Sequence, residues 1–306
     1  MTTLTSKDFA EMFYTLQRQM HNDPEKYRGF STGIPELDEL LGGFHLGWYI
    51  IVGGPEKSGK TTFKLSIAHT FAQNGVRLLW GGYEMSLEEM AAKAYSYYGI
   101  PSSKFRDVKL DEQDWAQMDL IRSKVGGYNA WWNAGTSVVE DFLIEANRLD
   151  VDVVIVDYLQ LMSSRSMERQ AGTAAELSYI SRTLKQWTLN GPRPRMVIAG
   201  SQLSREGTKG KLFNSANYFK NSSSLEQDAN VAFVISPVTD PQGEDDPGRR
   251  KITVVASRHS ASKVSFYVAF DGAHSRVNGL ETIDLNRKVQ DYLDSPPGPS
   301  EGSKPW

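Results

Sequence analysis

The chain has 306 residues, which is enough for one large hydrophobic core, and its 40% hydrophobic and 23% charged residues are typical of a globular protein. It contains no cysteine, which excludes disulfides and thiolate metal sites and suits a reducing cytoplasm. The net charge of -3 gives no overall attraction to nucleic acid, so any nucleic acid must bind a local basic surface or the interior of an assembly.

The chain shows no segment typical of secretion or of membrane insertion. Its amino terminus, MTTLTSKDF, has no basic segment followed by an apolar run, so no signal peptide is predicted. The longest apolar runs, WYIIV and VVIVDYLQLM, have the length of strands and are too short to span a bilayer. We therefore expect a cytoplasmic protein with no membrane partner.

An amphipathic helix is predicted over about residues 5–21. Thr5 is a suitable N-cap, with Asp8 three residues further on. The polar segment HNDPEKYRG separates this helix from the rest of the chain, so its apolar face either finds a partner elsewhere or packs back on its own domain. The apolar residues at helical spacing are Phe9, Met12, Phe13, Leu16 and Met20.

From about residue 31 strand and helix patterns alternate, which predicts an α/β domain with a largely parallel sheet. Three segments are expected: a helix and loop at 1–27, the α/β domain at 28–285, and a disordered Pro-, Gly- and Ser-rich tail at 286–306. Five strands with helices between them are predicted at 48–53, 77–82, 129–133, 152–157 and 195–200. Three more, expected as an antiparallel addition, are predicted at 231–236, 251–256 and 264–270.

The segment GPEKSGKT, from Gly54 to Thr61, fits the phosphate-binding pattern G-x-x-x-x-G-K-[ST]. A strand, WYIIV, precedes it, and a helix, TTFKLSIAHTFAQ, follows and ends at Asn74-Gly75. Backbone N–H groups should cradle a nucleotide's phosphates, with Lys60 on the β- and γ-phosphates and the Thr61 hydroxyl on Mg²⁺. The residues predicted to bind the nucleotide are Gly54, Pro55, Glu56, Lys57, Ser58, Gly59, Lys60, Thr61 and Thr62.

Two acidic residues are candidates for the metal and for water activation. Asp157 ends the β-branched run VDVVIVD, at the edge of a parallel sheet where ligands bind, so it is predicted to hold the metal; the alternative is an aspartate that only caps a strand. Glu84 follows the strand VRLLWGG, which we expect beside the P-loop strand, so it could act as the base. The residues leave equally open that Glu84 only begins the next helix.

Five motifs occur in one order along the chain: YEMS after a strand, VDYLQLM, ISRTLK, AGSQLSR and SSSLEQDAN. In that order they resemble the RecA-like motor domain of the DnaB-type replicative DNA helicases, over roughly residues 28–280. The resemblance implies a RecA-like P-loop NTPase fold, with a mostly parallel twisted sheet flanked by helices, added antiparallel strands and a preceding linker helix. It also implies ATP and Mg²⁺ as cofactors and Glu84 as the catalytic glutamate.

The resemblance assigns two further catalytic residues. Gln202, at the end of the strand MVIAGSQ, matches the glutamine that senses the γ-phosphate; the alternative is a residue that only closes a strand. Arg258, in VVASRHSAS, matches an arginine finger that reaches the ATP site of a neighbouring subunit. The lysine that the family places two residues earlier is Ala256 here, and neither Lys263 nor Arg249 is singled out as its substitute.

The loop after Gln202 is polar and basic, and by composition it is either a nucleic-acid contact or a solvated loop. The resemblance implies that it faces a central channel and grips single-stranded DNA. The family pattern at the matching positions is usually Arg, Glu, Gly, so all three differ here, and lysine keeps the charge but loses the bidentate fork. The predicted DNA-binding residues are Arg205, Lys220, Asn221 and Ser223.

The motifs together predict a subunit of an ATP-driven replicative DNA helicase, working as a homo-oligomeric ring, with hexameric assembly and 5′ to 3′ movement expected from the resemblance. Only about 30 residues precede the motor, so we expect the family's separate primase-binding domain to be missing and contacts with primase or a loader to differ, as in a phage or plasmid system. Two alternatives remain: a RecA-type recombinase that forms filaments, and an ATP-binding regulator that is not a motor.

Overall fold

The computed structural model describes residues 4–133, 135–170, 173–204, 219, 224–239, 245–259 and 264–280. The strands in these ranges are Tyr49–Gly54 (β1), Leu78–Gly82 (β2), Ala130–Asn133 (β3), Val153–Asp157 (β4), Met196–Gln202 (β5), Val231–Thr239 (β6), Asp245–Ser257 (β7), Ser265–Asp271 (β8) and Arg276–Asn278 (β9). The α-helices are Ser6–Asn22 (α1), Pro24–Tyr27 (α2), Pro35–Leu41 (α3), Lys60–Gln73 (α4), Leu87–Tyr97 (α5), Ser102–Arg106 (α6), Glu112–Val125 (α7), Val139–Arg148 (α8), Ala174–Leu189 (α9) and Ser224–Asp228 (α10). Short 3₁₀ segments follow β4 at Leu159–Leu161 and Arg165–Gln170. Across these described ranges, no helix has both the length and the apolar character that crossing a membrane requires.

The strands of the described residues form one sheet in the order β3-β2-β4-β5-β1-β6-β7-β8-β9. The predicted α/β class with a mostly parallel sheet is confirmed, and all eight predicted strands are present, although β7 begins at Asp245, six residues before the expected start at 251. β1 pairs in parallel with β5 and β6, and β4 pairs in parallel with β2 and β5. Among these strands, β7, β8 and β9 add the antiparallel pairs.

Three features of the sheet differ from the expectations. β6 is parallel to β1, because the connection that contains α10 returns the chain to the edge where β1 begins; the antiparallel addition therefore starts at β7. β2 is separated from β1 by β4 and β5 and does not lie beside it. β9 was not predicted, since three residues are too few to show a period.

The central strands β1, β4 and β5 are buried on both faces of the sheet, which is typical of a parallel sheet covered by helices. Along β1, Ile50 and Val52 face the core beneath α3 and α4, whereas Tyr49 and Ile51 face the core beneath α8, α9 and α10. Every residue of β1 is buried. Because these strands run parallel, their carboxyl ends lie together at one side of the sheet, and the phosphate loop follows β1 there.

The helix α1 stands apart from these cores. The predicted cap is confirmed: the Thr5 hydroxyl accepts from the Asp8 backbone N–H at 3.2 Å, and the Asp8 carboxylate reaches back to the Thr5 backbone N–H at 3.4 Å. None of the helix's side chains is buried among the described residues, and Phe9 and Phe13 are 59% and 54% exposed. The apolar stripe is therefore not packed on the described part of its own domain. The segment bounds at 27 and 285 remain predictions, and the predicted tail at 286–306 lies outside the described residues.

Candidate nucleotide-binding site

The phosphate loop lies between the last residue of β1, Gly54, and the first residue of α4, Lys60. Two of its glycines are required by close contacts. A side chain at Gly54 would come within 2.6 Å of the Ile235 carbonyl, and one at Gly59 would come within 2.5 Å of the Phe270 ring. Gly59 also has φ of 100°, in the left-handed region that favours glycine. The helix after the loop ends with Asn74 as its C-cap, as predicted.

A cavity of about 440 Å³ opens over this loop. It brings together residues from the ends of β1, β2, β4 and β5, which is where parallel sheets bind ligands. Of the predicted nucleotide-binding residues, Gly54, Pro55 and Ser58 do not line it and instead shape the loop behind it. The lining residues are Glu56, Lys57, Gly59, Lys60, Thr61, Thr62, Glu84, Met85, Lys93, Tyr158, Gln202, Phe270 and Gly272.

The ammonium of Lys60 is held at the loop itself. It donates to the carbonyl oxygens of Gly54 at 2.9 Å and Pro55 at 2.7 Å. Burial lowers the pKa of Lys60, the nearby Lys64 lowers it further, and the Asp157 and Glu84 carboxylates oppose both effects. A lysine bound by backbone carbonyls can exchange them for phosphate oxygens, which is the role that the sequence predicted.

Thr61 and Asp157 supply the oxygen atoms that a magnesium site needs. The Thr61 hydroxyl donates to Asp157 Oδ2 at 2.7 Å, and Asp157 is the buried last residue of β4. Hydroxyl and carboxylate oxygens are the ligands that Mg²⁺ prefers, with phosphate oxygens and water completing its shell. Thr61 and Asp157 therefore fit two positions of a Mg²⁺ shell whose other ligands a nucleotide and water would supply.

Lys64 is a neighbour of Asp157 that the sequence analysis missed. Its ammonium contacts Asp157 Oδ1 and donates to the Val156 carbonyl at 3.2 Å, and its side chain is fully buried. Burial lowers the pKa of Lys64, and the Asp157 carboxylate acts in the opposite direction. The one local signal was a lysine inside the apolar run FKLSIA, one turn after Lys60.

Glu84 reaches the cavity although β2 is not beside β1. All parallel strands end at the same edge, and Glu84 follows β2 by two residues, exposed at the cavity wall. The alternative that Glu84 begins the next helix does not fit, because Ser86 is the N-cap of α5 and forms a capping box with Glu89. Glu84 therefore has no capping role at that helix.

Gln202 is directly opposite Gly54 in the pairing of β5 with β1, which confirms that its strand lies next to the P-loop strand. Its side-chain amide donates to the Tyr158 hydroxyl at 2.9 Å. Its backbone N–H donates to Gln160 Oε1 at 3.2 Å, and Gln160 in turn donates to the Ser201 hydroxyl at 2.9 Å. Gln202 is thus tied to the segment after Asp157, a link that the sequence did not predict.

Arg250, in the antiparallel strand β7, supports the loop from the other side and was also missed. It donates to the Ser58 carbonyl at 3.0 Å, and its guanidinium lies 4.0 Å from the centre of the Phe270 ring. The adjacent Arg249, considered as a substitute for the missing lysine, forms an ion pair with Asp246 at 2.6 Å.

Arg258 lies near the amino ends of the parallel strands, whereas the P-loop of the same chain lies at their carboxyl ends. Its backbone N–H donates to the Asn230 carbonyl at 2.9 Å, and its exposed guanidinium donates to the Gln227 carbonyl. Ser257, the residue before Arg258, pairs with Val231, and Val231 pairs with Ile50 of β1. The loop begins only after Gly54, which lies about 13 Å beyond Ile50 along β1 at about 3.3 Å per residue. Ala256 pairs with Ala232 and is half-buried, and Lys263 lies outside the described residues.

The predicted DNA-binding residues lie outside the described residues and stay predictions: Arg205, Lys220, Asn221 and Ser223. Another polar loop, SSRSMERQAGT, follows the 3₁₀ segment after β4 and is partly described. Its Arg165 forms an ion pair with Asp141 of α8, and the Ser164 backbone N–H donates to Glu176 of α9 at 3.0 Å.

The fold and the site define a P-loop domain of the RecA-like class, with a phosphate loop, a buried acidic residue two strands away and a glutamine between them. The chain belongs to the DnaB-like helicase C terminal domain family, whose model matches residues 29–278. The predicted family resemblance is therefore confirmed.

Two curated relatives are replicative DNA helicases named DnaB. The chain is 29% identical to the protein of Leifsonia xyli subsp. xyli (strain CTCB07) over 267 residues, which covers 83% of this chain and 57% of the relative. It is 28% identical to the protein of Geobacillus stearothermophilus over 305 residues, which covers 95% of this chain and 64% of the relative. The chain thus spans about three fifths of the length of these relatives.

Solved structures of low sequence identity show the same fold. One of them, an ATPase domain, matches with a TM-score of 0.76 and 21% identity, over 90% of this chain and 99% of that chain. A DnaB-like replicative helicase, studied with its interactions with primase, matches with a TM-score of 0.71 and 20% identity, over 88% of this chain and 66% of that chain. The RadB recombinase matches with a TM-score of 0.52 and 18% identity, over 82% of this chain and 99% of that chain.

Proposed function

We propose that the chain is the motor of an ATP-dependent replicative DNA helicase. The observation that carries the proposal is the convergence of Lys60, Thr61, Asp157, Glu84 and Gln202 at one sheet edge, in a chain of the DnaB-like helicase family. Relatives named as replicative DNA helicases support the same activity.

The cavity residues have distinct roles in ATP hydrolysis under this proposal. Lys60 leaves its backbone carbonyls and binds the β- and γ-phosphate oxygens. Thr61 and Asp157 hold Mg²⁺, which when bound supplies charge stabilisation to the phosphates. Glu84 accepts a proton from the attacking water. Gln202 exchanges its bond to Tyr158 for the γ-phosphate, and so transmits the state of the phosphate to the loop after β5.

The proposed active unit is an oligomer of this chain, as a ring with ATP between subunits. Arg258 lies at the far edge of the sheet from its own P-loop, which supports action on a neighbour's nucleotide. The exposed apolar face of α1 supports docking on a second copy. A hexamer follows only from the resemblance and is proposed on that basis.

The substrate proposed is single-stranded DNA, bound by the basic loop after β5 through Arg205, Lys220, Asn221 and Ser223, with movement from 5′ to 3′. Primase and a loader are the proposed partners; the structural neighbour studied with primase supports the first. The bacterial origin of the two curated relatives supports a location in a bacterial or phage-infected cytoplasm.

A RecA-type recombinase is the second candidate, and the likeness to the RadB recombinase favours it. The TM-score of that match, 0.52, is lower than the 0.71 for the DnaB-like replicative helicase, so the helicase is preferred. A recombinase would form filaments on DNA and would not unwind a fork.

The test is unwinding of a forked duplex with a 5′ tail, with ATP and Mg²⁺, by the full chain with candidate loaders supplied. Lys60→Ala should abolish unwinding, whereas Lys109→Ala, on an exposed turn, should leave it unchanged. Absence of unwinding by the unaltered chain, together with filaments in electron micrographs, would move the assignment to the recombinase.

A further inference from the structure

The buried pair of Lys64 and Asp157 is a feature that the proposed ATPase chemistry does not require. Lys64 lies on α4, one turn after Lys60, with 0% of its side chain exposed, and the side chain of Asp157 is 2% exposed. The ammonium contacts Asp157 Oδ1 and donates to the Val156 carbonyl. Both partners are acceptors, which suits a charged ammonium with three donors.

The surroundings leave room for this ammonium. Gly200, in β5, lies over the pair: a side chain there would collide with Lys64 Nζ and come within 3.2 Å of Asp157 Oδ1. The Trp80 ring centre is 5.8 Å from the ammonium on another side. Because a buried charge is costly unless it is paired, the cation and the carboxylate depend on each other in this space.

The two oxygens of Asp157 face different partners. Oδ1 contacts Lys64 in the interior, and Oδ2 accepts from Thr61, which lines the cavity. One carboxylate oxygen is therefore held by a fixed cation, and the other is aimed at the position where the metal is expected.

We propose that Lys64 is a resident counter-ion for the metal-binding aspartate, which holds the Asp157 carboxylate in place without a metal and weakens the binding of Mg²⁺. Lys64 is a positioning residue, because it touches Asp157 and not the nucleotide. The inference rests on the proposed ATPase function, since that function supplies the metal.

The sign of the effect follows from charge. Removing the ammonium leaves Asp157 as an unpaired buried charge, so the protein loses stability when no metal is bound. It also removes a positive charge next to the metal position, so Mg²⁺ binds more tightly. Both effects increase the stabilisation that Mg²⁺ confers, because a ligand that binds only the folded state raises its stability.

The experiment measures the melting temperature of the full chain with saturating ADP, from EDTA to excess MgCl₂. For Lys64→Met we expect a lower melting temperature in EDTA, a larger rise with Mg²⁺, and a half-saturating Mg²⁺ concentration lower by about tenfold or more. Lys109→Met, which removes an exposed lysine outside the cavity, should behave like the unaltered chain. Equal Mg²⁺ responses in Lys64→Met and the unaltered chain would overturn the inference.

A second comparison keeps the inference testable if Lys64→Met folds poorly. Lys64→Met/Asp157→Asn removes both charges, so it should be more stable than Lys64→Met in EDTA; no gain in the double variant would contradict a counter-ion role. If the unaltered chain itself shows no response to ADP and Mg²⁺, the proposed ATPase function fails and the inference fails with it. An equal Mg²⁺ response in the unaltered chain and in Lys64→Met is a different result: it overturns the role of Lys64 but not the proposed ATPase function.

Discussion

Arg258 and Lys60 lie at opposite edges of the same sheet, so one chain cannot bring both to one nucleotide. Lys60 follows β1 at the carboxyl edge of the parallel strands, whereas Arg258 follows β7, which runs antiparallel and ends beside the start of β6. An arginine finger at this position must therefore act on a neighbouring subunit.

Arg258→Ala should reduce DNA-stimulated ATP hydrolysis by about 10³-fold or more, the range measured for arginine fingers, with little change in nucleotide affinity. The measurements are steady-state hydrolysis and binding of a fluorescent ADP. Arg148→Ala, at an exposed arginine of α8, is the matched control. Mixing Arg258→Ala with Lys60→Ala subunits should restore part of the activity, since some interfaces then combine an intact P-loop with an intact arginine. Mixtures with no regained activity would contradict action between subunits.

Glu84→Gln should reduce the rate of ATP hydrolysis by about 10²- to 10⁴-fold, because it removes the proposed base and keeps the side chain's size. Nucleotide and Mg²⁺ should still bind, since Lys60, Thr61 and Asp157 are unchanged. The checks are a single-turnover hydrolysis rate and an ADP titration. Glu88→Gln, four residues further on in the first turn of α5, should keep the full rate. A variant of Glu84 that hydrolyses ATP at a normal rate would exclude it as the base.

The parts of the site that the sequence predicted depend on short-range rules. The P-loop is a contiguous motif, and Asp157 and Gln202 are strand-end residues whose places follow from the shared edge of a parallel sheet. Their contacts agree with this: Thr61 donates to Asp157, and Gln202 is opposite Gly54.

The parts that the sequence analysis missed depend on contacts between residues that are far apart in the sequence. The position of β2, which β4 and β5 separate from β1, is set by the path of the crossover helices, which the local pattern does not encode. Lys64 meets Asp157 across 93 positions of sequence, and Arg250 meets the Ser58 carbonyl across 192. Hydrophobic periodicity carries no information about such pairs. Lys64, a lysine within the apolar run of α4, was the one local signal.

The apolar stripe of α1 should control assembly. Phe9→Asp/Phe13→Asp places charges on the exposed stripe, so it should shift the chain from oligomers toward monomers. At concentrations where the unaltered chain is monomeric the melting temperature should be unchanged, since neither side chain is buried within one chain. Sedimentation velocity and mass photometry measure the assembly, and thermal unfolding measures the stability. Thr15→Asp, a polar exposed position on the same helix, is the control. Unchanged oligomers in the double variant would show that α1 is not the docking element.

His69 should make the fold sensitive to mild acid. It is buried on α4, stacked on Tyr97 at 4.2 Å between ring centres, and burial lowers its pKa from 6.5 to about 4. Between pH 6.5 and about 4 the unfolded chain binds a proton that the folded chain does not, so the free energy of unfolding falls as the pH falls through this window. The loss attributable to His69 is on the order of 3 kcal/mol once the pH reaches about 4.

Urea unfolding at pH 7.5 and at pH values down to the limit of solubility should show a smaller decline for His69→Phe, which keeps a stacked ring and cannot titrate. His21→Gln, at an exposed histidine of α1, should follow the unaltered chain, because this side chain is not buried in the fold. Parallel declines for His69→Phe and the unaltered chain would assign the acid sensitivity to other groups.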